Sequence, residues 1–577
     1  MTRLDPHSYA DDTHVVTKSF ALVATVDFAT KTLAAEVTLT FATPGGGRLD
    51  LDTRDLAIES VDAHGKALPF SLAAADEHLG SCLSIELPPN TPAIRITYRT
   101  SPDASALQWL QPSQTSGGTQ PYLFSQCQAI HTRSIVPCQD TPRLRVTYTA
   151  ELHVPEPLTV VMAAAERGHA AGVYRFEMPQ PIPPYLFAFA VGDLTKRDLS
   201  RRCCVWAEPS VVEAAAWEYA DVEKMIGAAE ALFGPYDWER FDILSMPPSF
   251  PYGGMENPRL TFITPTVLAG DRSLVSVIAH ELAHSWTGNL VTNANAEHFW
   301  LNEGFTMYAE RRITEALEGA DMASLSAALG RRELDESLRR FKDRPGMTRL
   351  RTHLEGIDPD EGYSLIPYEK GYFFLLEIEK QVGRPAFEAW LRTYLNAFRF
   401  GAITTDDFKA HIEKGLPGAL AAVHADEWID GEGIPASAAA PRSARLDTLE
   451  KVAGTVPAKE LTTTWNATEW ALFLELAPHP APLDYCTQLE MAFSFTQSKN
   501  YDVLVPWLTL ALQSEYDAVI PRVEEVVSSV GRMKYLRPLY TALAARPATA
   551  ARAKALYEQN RASYHPVARS MVESVLR

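Results

Sequence analysis

His280, Glu281, His284 and Glu303 all fall within HELAHSWTGNLVTNANAEHFWLNEG, which runs from His280 to Gly304. Histidines four apart on a helix project from one face about one turn apart, so both imidazoles can reach one ion. Glu281 points roughly 100° around the helix from His280 and can sit beside a bound water without ligating the metal. Glu303 arrives on a second predicted helix, across a loop containing TNAN. Two histidines and one glutamate with an open fourth position form a catalytic zinc set, whereas structural zinc more often has four closed ligands including cysteine. The competing reading is a surface helix with two unrelated histidines.

Two further stretches carry groups that could act beside such a site. In PYGGMENP, Pro251 to Pro258, Gly253 and Gly254 allow backbone to pass close to a ligand. Glu256 follows at a strand-like edge, and a fixed carboxylate is the natural partner of a free α-amine. By composition a plain Gly-rich turn is the commoner meaning of this stretch. In GYSLIPYEKG, Gly362 to Gly371, a tyrosine hydroxyl could donate to an oxyanion. Residue types alone do not choose between Tyr363 and Tyr368. Pro367 is placed to open a helix.

The elements that must position these groups follow from periodicity. Residues 1–195 hold alternating or β-branched runs such as ALVATVDF, AEVTLTFA and RLRVTYTAELHV, separated by turn signals, and predict a large antiparallel sheet domain. Residues 196–435 mix strands (FDILSMPPSF, RLTFITP) with helices, among them SLVSVIAHELAHSWTG and HFWLNEGFTMYAERRITEALEG. Asp271 or Ser273 could cap the first of these helices, and Gly288 lies where it could end. Residues 436–447 read as a Pro/Ala/Ser-rich linker, and 448–577 as a stack of short antiparallel helices. The fold class is multidomain α+β.

The 577 residues are too many for one core. A formal charge of −19 argues against nucleic acid or anionic membrane as the main partner. The six scattered cysteines show no paired spacing and indicate a reducing compartment. The N-terminus has no apolar core of a signal peptide, and no apolar run approaches the roughly 20 residues of a membrane span. A cytoplasmic monomer is expected.

Together and in this order, the three stretches resemble the zinc aminopeptidases of the aminopeptidase N superfamily. SQCQAIHTRSIVPCQDTP, PYGGMENP, HELAHSWTGNLVTN, HFWLNEG, IPYEKG and GRMK are similar to the leukotriene A4 hydrolase branch and its bacterial aminopeptidase relatives, from about residue 120 to the C-terminus. The resemblance implies an N-terminal β saddle, a thermolysin-like catalytic domain and a C-terminal helical domain. It implies one zinc per chain on His280, His284 and Glu303, with Glu281 as general base. It makes Glu256 the anchor for the substrate amine, with Tyr252, Gly253, Gly254 and Met255 lining the substrate and Gln128 of SQCQA near the same amine. Tyr368 matches the tyrosine that stabilises the tetrahedral intermediate, and Tyr363 a second active-site tyrosine. Asp360 falls where the leukotriene enzyme keeps an aspartate used in epoxide hydrolysis. Arg532 and Lys534 match a basic pair that receives the substrate carboxylate. Departures are Phe305 after NEG, where the vertebrate enzyme has histidine, and NANAE in place of a bulkier loop; both bear on substrate preference.

The expected activity is removal of single N-terminal residues from short peptides with a free N-terminus, tripeptide-like substrates being favoured. Lipid epoxide hydrolysis and a non-catalytic binding protein on the same scaffold are the rivals. An unrelated HExxH endopeptidase would have no need of GGMEN.

Overall fold

The computed structural model describes residues 4–577 apart from Val275, Tyr363 and Ala439. The N-terminal region is built around a nine-stranded sheet. Its long strands Thr17–Asp27, Thr32–Thr53 and Ser81–Arg99 lie side by side. In Thr17–Asp27, Phe20, Leu22, Ala24 and Val26 are buried while the residues between them face outward, the period-two pattern of a half-buried sheet. Pairing is antiparallel with one exception: Thr17–Asp27 runs parallel to Val146–His153. Hairpin-rich sequence predicts antiparallel neighbours; this pair is joined only after a long excursion of chain, which frees its direction. A four-stranded sheet completes the region.

The central region begins with a third, five-stranded sheet of Thr195–Asp198, Cys204–Ala207, Asp242–Ser245, Leu260–Ile263 and the short edge strand Gly254–Met255. That edge strand is antiparallel to Leu260–Ile263 and delivers Glu256 at its end. Helix α1 (Ser276–Ala283) packs beside it. Helices α2 (Trp300–Glu318) and α3 (Ala320–Arg340) follow, separated by Gly319, whose φ of 94° breaks the helical path. A π-helical turn, Ile366–Lys370, opens with Pro367 and runs into α4 (Gly371–Val382). Helices α3 and α4 and the π turn all pack on α2.

From Ala444 to Leu576 the chain is helical, with short connections. The stretch read as linker ends inside the helix Ala444–Val452, because Ser443 caps it by accepting from the Leu446 N–H at 3.1 Å. Two hydrophobic cores emerge. One fills the strand region and reaches Trp238, Leu244 and Phe262. The other is continuous from Cys203 through the central region to Val572, so the C-terminal helices and the central region share one interior. Among the described residues no helix is long and apolar enough to cross a membrane, and all six cysteines are buried and unpaired.

Candidate metal centre and active site

Helix α1 ends at Ala283, earlier than Gly288, and His284 is the first residue beyond it. The His284 N–H still donates to the His280 carbonyl at 3.2 Å, so the helical geometry carries through. Asp271 accepts from the N–H and hydroxyl of Ser273, forming a turn ahead of the helix. Nε2 of His280 and Nε2 of His284 stand 3.2 Å apart, and Glu303 Oε2 lies 3.4 Å from the first and 3.5 Å from the second.

The other ring nitrogens are already engaged. His280 Nδ1 meets Glu310 Oε2 at 3.0 Å; His284 Nδ1 lies 3.0 Å from both the Thr287 carbonyl and the Thr306 hydroxyl. This is the arrangement that fixes a ligating imidazole through its far nitrogen. Glu303 Oε2 is buried without a hydrogen-bond partner among the described residues, a costly state for a carboxylate unless a cation completes it. Two imidazole nitrogens and this orphaned oxygen fit a zinc-like ion.

Charge in the pocket points the same way. Glu256, Glu281 and His284 form a second cluster against the first, all three buried. Burial pushes the Glu281 carboxyl well above its ordinary range, with His280 opposing and Glu256 adding to the rise. Burial, then the charge of Glu303, raises Glu256. Burial resists protonation of His280, but the neighbouring carboxylates of Glu303 and Glu310 outweigh it and its pKa rises; burial lowers that of His284 to about 4. The pocket holds more carboxylate than its imidazoles neutralise, and added cations would relieve it.

The two glycines of GGMEN make room for protein side chains. A Cβ on Gly254 would lie 2.3 Å from Glu281 Oε1, and one on Gly253 would lie 2.8 Å from Arg532 Nη2. Glu281 and Arg532 thus flank the same short strand. Tyr252 is half-buried beside Phe250, and the Met255 side chain turns into the strand-region core, leaving only its backbone to face a ligand. Gln128 Nε2 lies 3.4 Å from Glu256 Oε1, and Asn289 donates to the Glu256 carbonyl at 2.6 Å.

The Tyr368 ring stacks on His280, centroids 6.1 Å apart with planes at 17°, and Phe299 meets it edge-on. Tyr363 lies outside the described residues. Asp360 Oδ2 pairs with His131 Nε2 at 2.8 Å; burial opposes its charge, but His131 and Arg54 hold its pKa below the ordinary value. Arg532 is buried and donates to Thr266 Oγ1 at 3.2 Å and to the Tyr535 hydroxyl at 2.8 Å, which in turn donates to Asp502 at 2.9 Å. Lys534 differs from it: 44% exposed, its ammonium stands 3.4 Å from Asp502 and 3.8 Å from Glu333. Phe305 points into the core against Trp300 and Tyr394.

Sequence reasoning missed Glu310, Thr287 and Thr306. Glu310 was within reach, since it lies two helical turns beyond Glu303 on the same face of α2. The threonines carry no comparable signal.

A converging two-histidine, one-glutamate donor set, with further buried carboxylates at its edge and a helical region behind, defines a metallopeptidase-type centre. The chain matches the Peptidase M1 N-terminal domain over residues 8–186, the Peptidase family M1 domain over 217–428 and the Leukotriene A4 hydrolase C-terminal domain over 465–576. It is 38% identical to leukotriene A-4 hydrolase of Xenopus laevis, over 98% of each chain. It is 36% identical to leucine aminopeptidase 2 of Yarrowia lipolytica, over 99% of this chain and 93% of that one. The structure of yeast LTA4 hydrolase in complex with bestatin superposes with a TM-score of 0.93 at 32% identity, covering 100% of this chain and 97% of that one. The chain belongs to peptidase family M1, in the branch of the leukotriene A4 hydrolases and leucine aminopeptidases.

Proposed function

We propose that this protein is a zinc-dependent aminopeptidase that removes single N-terminal residues from short peptides, tripeptide-sized ones favoured. The observation that carries the reading is the buried Glu256 carboxylate, clustered with Glu281 and His284 beside the donor set. A buried carboxylate at that place takes up the α-ammonium of a peptide, and only the first peptide bond can then reach the donor set. His280, His284 and Glu303 would hold one zinc. When bound, the ion supplies Lewis acidity, polarising the scissile carbonyl and acidifying water.

Glu281, pressed against Gly254, takes a proton from the attacking water and returns it to the leaving amine. Its raised pKa suits both halves of that cycle, and a cation nearby lowers it toward the working range. Tyr368 donates to the developing oxyanion; a donor of this kind is typically worth about 2.7–4 kcal/mol in the transition state. Gln128 steadies Glu256, and the backbone of residues 252–255 lines the first side-chain position. Arg532 receives the far carboxylate of a tripeptide, with Lys534 adding charge from the rim. The division at 195, 435 and 447, the monomeric state and a cytoplasmic location belong to the same reading; the buried, unpaired cysteines support the last.

Epoxide hydrolysis of the leukotriene A4 type is a second reading. It is favoured by the relatives' names and by Asp360, held charged by His131 and Arg54.

The test is an assay of zinc-quantified protein on aminoacyl chromogenic amides and free-amine tripeptides, beside N-acetylated peptides and a chelated sample. Turnover that needs both metal and a free amine supports the aminopeptidase. A folded, zinc-loaded sample inactive on all of them would sink it, and product analysis with a lipid epoxide then decides the second reading.

A further inference from the structure

The turn that carries Tyr368 is tied to the helix that carries Glu303 by contacts the mechanism does not use. The first is backbone on backbone. A Cβ on Gly304 would lie 2.8 Å from Gly371 Cα, and one on Gly371 would lie 2.7 Å from Gly304 Cα. Helix α2 and the start of α4 therefore touch next to Glu303 and just beyond Tyr368.

The second is a buried ion pair. Arg311 of α2 donates from Nη2 to Glu369 Oε1 at 2.8 Å and from Nη1 to Glu369 Oε2 at 2.9 Å. Their side chains are 3% and 2% exposed. The Arg311 guanidinium lies 4.0 Å from the centroid of the Tyr372 ring and also donates to the Ser326 carbonyl at 3.2 Å. Gly330 of α3 leaves the space: a Cβ there would lie 2.2 Å from Glu369 Oε2 and 2.4 Å from Arg311 Nη2.

A buried ion pair repays little more than its own desolvation, so net stability is a weak reason for one. What a bidentate fork does supply is orientation, because both planes and both distances are fixed together. Glu369 is the neighbour of Tyr368 in a π turn, a wide and intrinsically poor helix that needs outside support. Arg311 sits two turns beyond Glu303 on the helix that supplies that donor.

We propose that the Arg311–Glu369 pair is a positioning device that sets the π turn against α2 and so places the Tyr368 hydroxyl relative to the donor set. It rests on the reading of Tyr368 given above. Neither residue touches substrate; both act through Tyr368.

The experiment is a double-mutant cycle on the full-length, zinc-loaded protein, with kcat and KM measured on an aminoacyl chromogenic amide. Glu369→Gln is expected to lower kcat about 10–100-fold with KM and zinc content little changed, the size of effect a displacement of about 1 Å produces. In a Tyr368→Phe background the same substitution should change kcat by less than about twofold, because no hydroxyl remains to misplace. Arg311→Lys keeps the charge and loses the fork, and should reproduce the kcat loss. Gly330→Ala keeps both charges, displaces the carboxylate, and serves if Glu369→Gln does not fold.

Equal losses with and without the Tyr368 hydroxyl would overturn the positioning role while leaving Tyr368 as the donor. Full kcat in both Arg311→Lys and Gly330→Ala would overturn it as well. Wild-type kcat in Tyr368→Phe alone would remove the donor role itself, and the positioning role with it.

Discussion

The two ends of the proposed site are built on different plans. At the metal end, His280, His284, Glu303, Glu281 and Tyr368 come from one region and are packed so closely that neighbouring positions must be glycine. At the basic end, Arg532 and Lys534 come from the C-terminal helices, and one of them is half exposed. Gly253 and Gly254 stand at the border, the first against Arg532 and the second against Glu281. The metal end is rigid by exclusion of space, and the basic end by a chain of hydrogen bonds from Asp502 through Tyr535 to Arg532. A fault at the first should damage every substrate; a fault at the second should be felt only by substrates with a carboxylate to offer.

The largest effect is expected from Glu281→Gln, a loss of about 10²–10⁴ in kcat on every substrate with zinc retained. Stopped-turnover assays with metal analysis check it, and residual wild-type activity would remove Glu281 as the base. Gly254→Ala comes next. Its methyl meets the Glu281 carboxylate, so kcat should fall about 10²-fold for peptides and amides alike.

Arg532→Ala should lower kcat/KM about 10–100-fold on free-acid tripeptides and leave aminoacyl amides near wild type, the scale of a lost hydrogen bond to a charged group. Gly253→Ala should follow the same pattern more weakly, because the atom it meets is the movable end of a long side chain. If Gly253→Ala and Gly254→Ala give the same substrate profile, the contrast between the two ends is wrong.

A last effect, on stability and not on turnover, concerns Lys370, which donates to the Thr348 and Gly431 carbonyls and whose pKa burial lowers from 10.5 to about 7. Between those values the unfolded chain binds the proton more readily than the folded one, so this group makes stability rise with pH across that window. Denaturant melts from pH 7 to 10 should show a shallower rise in Lys370→Met than in wild type. Parallel curves would mean that the lysine is charged in the folded protein throughout.

What the sequence made legible follows covalent distance. His280 and His284 are four residues apart on one helix, so their spacing alone declares a shared target. The alternation in Thr17–Asp27 likewise exposes its buried face. The domain order could be read from changes of period along the chain. The parallel partnership of Thr17–Asp27 with Val146–His153 could not, because pairing direction leaves no mark on alternation. The partners Arg311 and Glu369 lie 58 positions apart, and neither sits in a pattern that names the other. Gly253 and Gly254 signal a close approach to their backbone, but not that Arg532 and Glu281 make it, since only the folded chain brings these side chains there. The sequence likewise does not say which part of Met255 faces a substrate; strand alternation turns its side chain into the core and leaves the backbone.

The interior shared by the central region and the C-terminal helices has a thermal consequence. Two bodies with one apolar interior lose it together, so they melt as one cooperative unit. The groups proposed to measure a peptide's length and those proposed to cut it should therefore fail at the same temperature. A heated sample would pass from selective enzyme to inactive chain with no interval in which it cleaves indiscriminately.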